Sequence, residues 1–205
     1  MTARPACARL VPMQSQSLPL FPLPTVLVPG AALGLRVFEP RYLDLVRECS
    51  RNQSGFGICL LVDDGSGEAS AAAAFGTEAV IEDFDTGDDG LLTITVRGRR
   101  RFRADTVCVR DNGLQVATVE WLEPDPVEPL RPEHGLLAML LRGLLEQVGG
   151  EHADSLDQRS DDAAWVGWRL TEMLPLSDTQ RQQLLQEDDP HVRLDSLLGL
   201  LPDAD

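Results

Sequence analysis

Four prolines, Pro19, Pro22, Pro24 and Pro29, punctuate the most apolar stretch of this chain, SLPLFPLPTVLVPGAALGLRVF (Ser17–Phe38). No charged residue stands between Arg9 and Arg36, so hydropathy alone reads the stretch as a signal sequence or a membrane span. Both of those are helical. Each interior proline removes a backbone donor and clashes with the preceding turn, at a cost of about 3 kcal/mol. The stretch is therefore extended. It reads as strand pieces over Leu18–Leu23 and Thr25–Val28, a turn at Pro29-Gly30, and a strand over Leu33–Phe38. In the last piece Leu33, Leu35 and Val37 alternate with Gly34, Arg36 and Phe38. Prolines confine the first piece to a sheet edge or an entry arm. With no membrane segment, and with Cys7, Cys49, Cys59 and Cys108 forming no C-x-x-C pair, a cytoplasmic protein is expected, its thiols serving as small apolar side chains. Residues 1–16 lack periodicity and read as a disordered tail, in which Met13 is an alternative start to Met1.

Beyond this stretch the pattern changes element by element. PRYLDLVRECSRN opens on Pro40 and sets Tyr42, Leu45, Val46 and Cys49 on one face, which predicts a short amphipathic helix. Strands follow over Gly55–Val62, Phe75–Phe84 and from Leu91 onward, with a flexible loop DDGSGEASAAAA and a hairpin turn at Asp111–Gly113 between them. Residues 17–123 thus form a β-rich domain with one helix, and 124–132 are a proline-rich connector, hinge or rigid spacer. Residues 133–205 form a helical bundle. Within it Trp165 and Trp168 share a helix, Ser177 and Gln180 are spaced as a capping box, and Asp189-Pro190 opens the last helix. The fold class is α+β.

Charge and residue usage exclude more chemistry than they suggest. All 18 basic residues are arginine, so a Walker-A lysine, a Schiff-base lysine and a Ser–Lys dyad are ruled out. A net charge of −15 repels nucleic acid and anionic lipid. The acidic run DFDTGDDG half-resembles a calcium loop, but Ile94 or Val96 stands where a bidentate Glu belongs, and a hairpin turn explains it better. His134, His152 and His191 fall near helix ends or loops, where solvated imidazoles are expected. No cofactor, metal site or catalytic constellation is expected. The one basic cluster, RGRRRFR, sets Arg97, Arg99, Arg101 and Arg103 on one face of a regular strand with Phe102 opposite. Those arginines could contact phosphates of RNA, or pair with Glu82, Asp83, Asp85, Asp88 and Asp89.

The ordered set LPLFPLPTVLVPGAALGLRVFEPRYLDLV, FGTEAVIEDF, LLTITVRGRRRFR and MLPLSDTQRQQLLQEDDPHVRLDSLLGLL resembles the N-terminal substrate-binding domain of Lon proteases. The resemblance implies a twisted, partly closed, PUA-like β-sheet followed by a helical bundle, in the free-standing bacterial form without ATPase or peptidase domains. It implies a non-catalytic module that binds unfolded or extended polypeptide segments and docks on a protease or chaperone, with no role for a membrane. Phe38, Pro40, Arg41 and Tyr42 are the candidate polypeptide-binding residues, beside a sheet edge left by the first strand. The alternative is an RNA-binding module using Arg97–Arg103.

Overall fold

A computed structural model describes residues 16–62, 71–87 and 90–201. The expected tail over residues 1–15, the expected partners Asp88 and Asp89 and most of the loop before Phe75 lie outside the described residues. The strands are β1 (Gln16–Leu23), β2 (Ala32–Val37), β3 (Phe56–Val62), β4 (Ala71–Thr86), β5 (Leu92–Val109) and β6 (Gln115–Trp121), with α1 (Pro40–Asn52) between β2 and β3. They form one sheet in the order β2-β5-β4-β3-β1-β6. A further β5–β6 pairing closes five strands into a ring and leaves β2 as a flap on β5. Strand β5 makes this possible by its length: Leu92–Arg97 pair with β2, whereas Phe102–Val109 pair with β6.

The expected edge position of β1 is not what forms. Gln16–Pro19 pair antiparallel with β6, and Leu20–Leu23 pair parallel with β3. The strand hands over from one neighbour to the other at its midpoint. Pro19 and Pro22 therefore each lie in a half that is bonded on one side only, which satisfies the proline rule without an edge strand. Thr25–Val28 is likewise not a strand. It crosses the end of the barrel as irregular chain, with Leu27 and Val28 buried as a plug and the Leu27 carbonyl accepting from Thr77 Oγ1 at 2.6 Å. The turn that follows needs Gly30 at φ 79°. It clamps onto β5 by two backbone bonds with Gly98, where a Cβ would stand 2.4 Å from the Val28 carbonyl oxygen. Ala71–Ala74, read as loop, already belong to β4, because Ala71 and Ala72 pair with Val62 and Leu61.

Helix α1 forms as its periodicity demands, with Tyr42, Leu45, Val46 and Cys49 buried against the barrel. The helical part comprises a 3-10 turn (Pro132–His134), α2 (Gly135–Val148), the short α3 (Glu151–Asp154) and α4 (Leu156–Arg159), α5 (Ala163–Met173), α6 (Asp178–Gln186) and α7 (Pro190–Leu200). Both predicted caps are present. Ser177 Oγ accepts from the Gln180 amide while the Gln180 side chain accepts from the Ser177 amide, and Asp189 Oδ1 accepts from the His191 and Val192 amides. Leucines of α2, α5, α6 and α7 fill one core, and Trp168 and Leu185 reach out of it into the barrel core. Sheet and helices thus share buried surface. No helix among the described residues is long and apolar enough to cross a membrane.

A candidate polypeptide-binding slot

Because β1 changes neighbours, Leu20–Leu23 have no strand on the β6 side, and β2 pairs only with β5 among the described strands. A cavity of about 530 Å³ is lined by both of these edges: by Phe21–Pro24 from the β1 side and by Gly34, Leu35 and Arg36 of β2. The start of α1 contributes Phe38, Glu39, Arg41 and Tyr42. Two half-paired strands beside one apolar opening present backbone donors and acceptors at strand spacing, together with side-chain pockets.

The four residues proposed from sequence take different positions around it. Phe38 is 65% exposed at the rim. Tyr42 lines the cavity but is only 8% exposed, its ring stacked on Phe21 at 3.8 Å between centroids. It is therefore also part of the core, and burial pushes its phenol above the ordinary range, with Arg41 acting in the opposite direction. Arg41 holds the wall. Its Nε donates to Glu39 at 2.9 Å, its Nη1 donates to the Gly113 carbonyl at 3.1 Å, and its guanidinium lies 4.7 Å from the Tyr42 ring centre. Pro40 starts the helix and does not line the cavity. Sequence reasoning missed Phe21, Leu23 and Leu61 as lining residues. Phe21 and Leu23 are brought there by the handover in β1, which no local pattern announces.

The four arginines do not share the one face expected of a regular strand: the register shift sets Arg99 and Arg100 together against Glu78, so Arg101 turns to the face opposite Arg97, while Phe102 turns into the barrel. Most of these arginines are covered or paired. Arg101 is buried beneath the helical part and donates to the Leu185 and Glu187 carbonyls and to Asp125. Arg97 pairs with Glu82 at 2.6 Å and with Glu151, and also donates to the Gly30 carbonyl. Arg103 pairs with Glu120 directly across the ladder, at 2.6 Å. Arg100, set out of alternation where the β4–β5 register shifts, pairs with Glu78 and lies 3.9 Å over Trp121. Arg99 is exposed with no hydrogen bond or ion pair among the described residues. Of the expected acidic partners that lie among the described residues, Glu82, Asp83 and Asp85, only Glu82 serves. Asp83 and Asp85 instead accept from the amides of Phe84 and Thr86.

Two of the three histidines correct the expectation of solvated rings. His134 and His191 are buried and stacked with centroids 5.5 Å apart, their Nε2 atoms on Asp195 (2.8 Å) and Glu128 (3.0 Å). The sequence placed them at helix starts, but those starts pack against each other. His152 lies against Arg169 Nη1 at 2.6 Å. Burial first, and that guanidinium second, hold it below the ordinary imidazole range. Cys49 and Cys59 are buried, and desolvation pushes the Cys59 thiol up to about 12. Cys108 is exposed on β5, contrary to its apolar reading, because the ends of β5 and β6 extend beyond the core. No group of three or more His, Cys, Asp or Glu among the described residues is arranged to hold a metal ion.

Comparison with known proteins agrees with this architecture. The family described as the ATP-dependent protease La (LON) substrate-binding domain matches residues 17–203. The crystal structure of the Lon N-terminal domain protein from Xanthomonas campestris is 57% identical and superposes with a TM-score of 0.78, over 91% of this chain and 99% of that one. The N-terminal domain of the Mycobacterium avium complex Lon protease shares the fold, at 19% identity and TM-score 0.65, over 90% and 97% of the two chains. Protein cereblon of Danio rerio is 31% identical over 120 residues, which are 55% of this chain and 28% of cereblon; the chain thus spans little more than a quarter of that relative. With the match running from the first half of β1 to beyond α7, this chain belongs to the Lon substrate-binding domain family.

Proposed function

We propose that the protein is a non-catalytic polypeptide-recognition module in which an extended segment of an unfolded client enters the slot between β1 and β2. The observation that carries this reading is the pair of half-bonded strand edges lining one apolar cavity, with Phe38 exposed at its rim. An incoming strand would satisfy backbone groups along β2 and place alternate side chains against Phe21, Leu35 and Phe38. The family description as a substrate-binding domain supports the same reading. The residues given contain no lysine and so supply no Walker-A lysine and no Ser–Lys dyad, which fits a module that hands bound clients on to a protease or chaperone.

The test separates rim from floor. Phe38→Asp should weaken binding of reduced, carboxymethylated casein by about tenfold while leaving the melting temperature unchanged, because Phe38 is exposed. Tyr42→Ala removes a ring stacked in the core and should cost about 3 kcal/mol of stability. Casein affinity untouched by Phe38→Asp would remove the slot from consideration.

A further inference from the structure

His134 ends the 3-10 turn that leads into α2, and His191 stands in the first turn of α7. Both are buried, and each ring sets its Nε2 on a carboxylate: His134 on Asp195 Oδ1 at 2.8 Å, His191 on Glu128 Oε2 at 3.0 Å. An ionised carboxylate only accepts, so both Nε2 atoms carry a proton. What remains on each ring is Nδ1. The two Nδ1 atoms face each other at 3.5 Å, with the ring planes 17° apart.

Proton counting then decides the state of the pair. Two neutral rings would aim bare acceptors at each other, both buried and both unsatisfied. Two imidazoliums would set N–H against N–H and place like charges side by side. One added proton removes both conflicts, because the Nδ1–H of one ring donates to the bare Nδ1 of the other. The adjoining charges favour a single positive charge there. They are Glu128 of the connector, Glu133 beside His134, and Asp189 and Asp195 of α7, against Arg131; Arg193 is engaged by Asp125. We propose that His134 and His191 share one proton between their Nδ1 atoms, forming a pH-sensitive clasp that joins the connector and the start of α2 to α7. The sign of its pH dependence follows from linkage. In the unfolded chain two free imidazoles together bind one proton at about pH 6.5. Above that pH the folded pair holds more protons than the unfolded chain, so stability falls as pH rises. Below it the folded pair holds fewer, so stability falls as pH drops. The clasp is tightest near pH 6.5 and loosens in both directions.

Nitrogen-15 NMR of the imidazole rings in the full, uniformly labelled chain at about pH 6.5 tests this directly. Both Nε2 atoms should be protonated, and the two Nδ1 atoms should show one proton between them, with a scalar coupling across the N–H···N bond. Two bare Nδ1 atoms, two protonated ones, or a bare Nε2 on either ring would overturn the proposal. Thermal melts give a second reading. The melting-temperature gap between the parent and a double variant, His134→Gln with His191→Gln, should be widest near pH 6.5 and narrow by a few degrees toward about pH 5 and about pH 8. A gap that changes in one direction only would also overturn it. Should the double variant fail to fold, the NMR reading on the parent decides alone.

Discussion

Arg101 of β5 and Arg193 of α7 meet on a single oxygen, each donating from Nη2 to Asp125 Oδ1 at 3.1 Å. Asp125 lies in the connector between the sheet and the helices, and its other oxygen accepts from Trp168 Nε1 and from Arg193 Nη1. The Arg193 guanidinium also lies 3.5 Å over the Trp168 ring. One carboxylate thus ties together the barrel, α5 and α7. The connector continues as a bonded segment, with the Leu130 amide on the Asp161 carbonyl and the Ala163 amide on the Glu128 carbonyl. These bonds tether the connector to the segment that opens α5.

Asp125→Ala leaves two buried guanidiniums facing each other without their shared anion. Breaking one side of a buried ionic cluster costs about 3–5 kcal/mol. The expected outcome is a fall of that size in unfolding free energy by urea titration, with one cooperative transition becoming two as helices and barrel uncouple. A variant as stable as the parent would show that the cluster contributes nothing net.

His152 gives a pH signature of defined sign. Its folded-state value is depressed, by burial and then by Arg169, so the unfolded chain takes up the proton first, at about pH 6.5. The stability it contributes is complete above that pH and is lost as pH falls toward the folded value. Glu172, 3.6 Å from His152 and raised by its own burial, titrates with the opposite sign and is retained in the comparison variant. The melting-temperature gap between the parent and His152→Gln should therefore narrow as pH falls from about 7 to about 5. A gap constant across that range would contradict the assignment.

What could be read from the residues divides along a physical line. Elements defined by a local period or a local bond were legible: the Tyr42–Leu45–Val46–Cys49 face of α1, the Ser177–Gln180 capping box and the Asp189-Pro190 helix start. Features that depend on which distant strand arrives next were not. Pro19 and Pro22 exclude bonding on one side but do not say which side, so the handover inside β1 read as an edge. Arg101 leaves the face that alternation shared with Arg97, because β5 carries an extra residue against β4 at Arg99–Arg100, and nothing local announces that bulge or the helical residues that accept from Arg101. The same holds for the slot. Phe38, Arg41 and Tyr42 were within reach of sequence, whereas Phe21 and Leu61 join them only through the closure of the ring.

The central claim is that an extended client adds to the free edge of β2, and amide hydrogen exchange read by NMR tests it most directly. On saturation with reduced, carboxymethylated casein, amides among Ala32–Leu35 and among Leu20, Phe21 and Leu23 should slow by about tenfold or more where they gain a backbone acceptor. Protection confined to the surface around Arg99, Arg100 and Trp121, or absent throughout, would contradict the account.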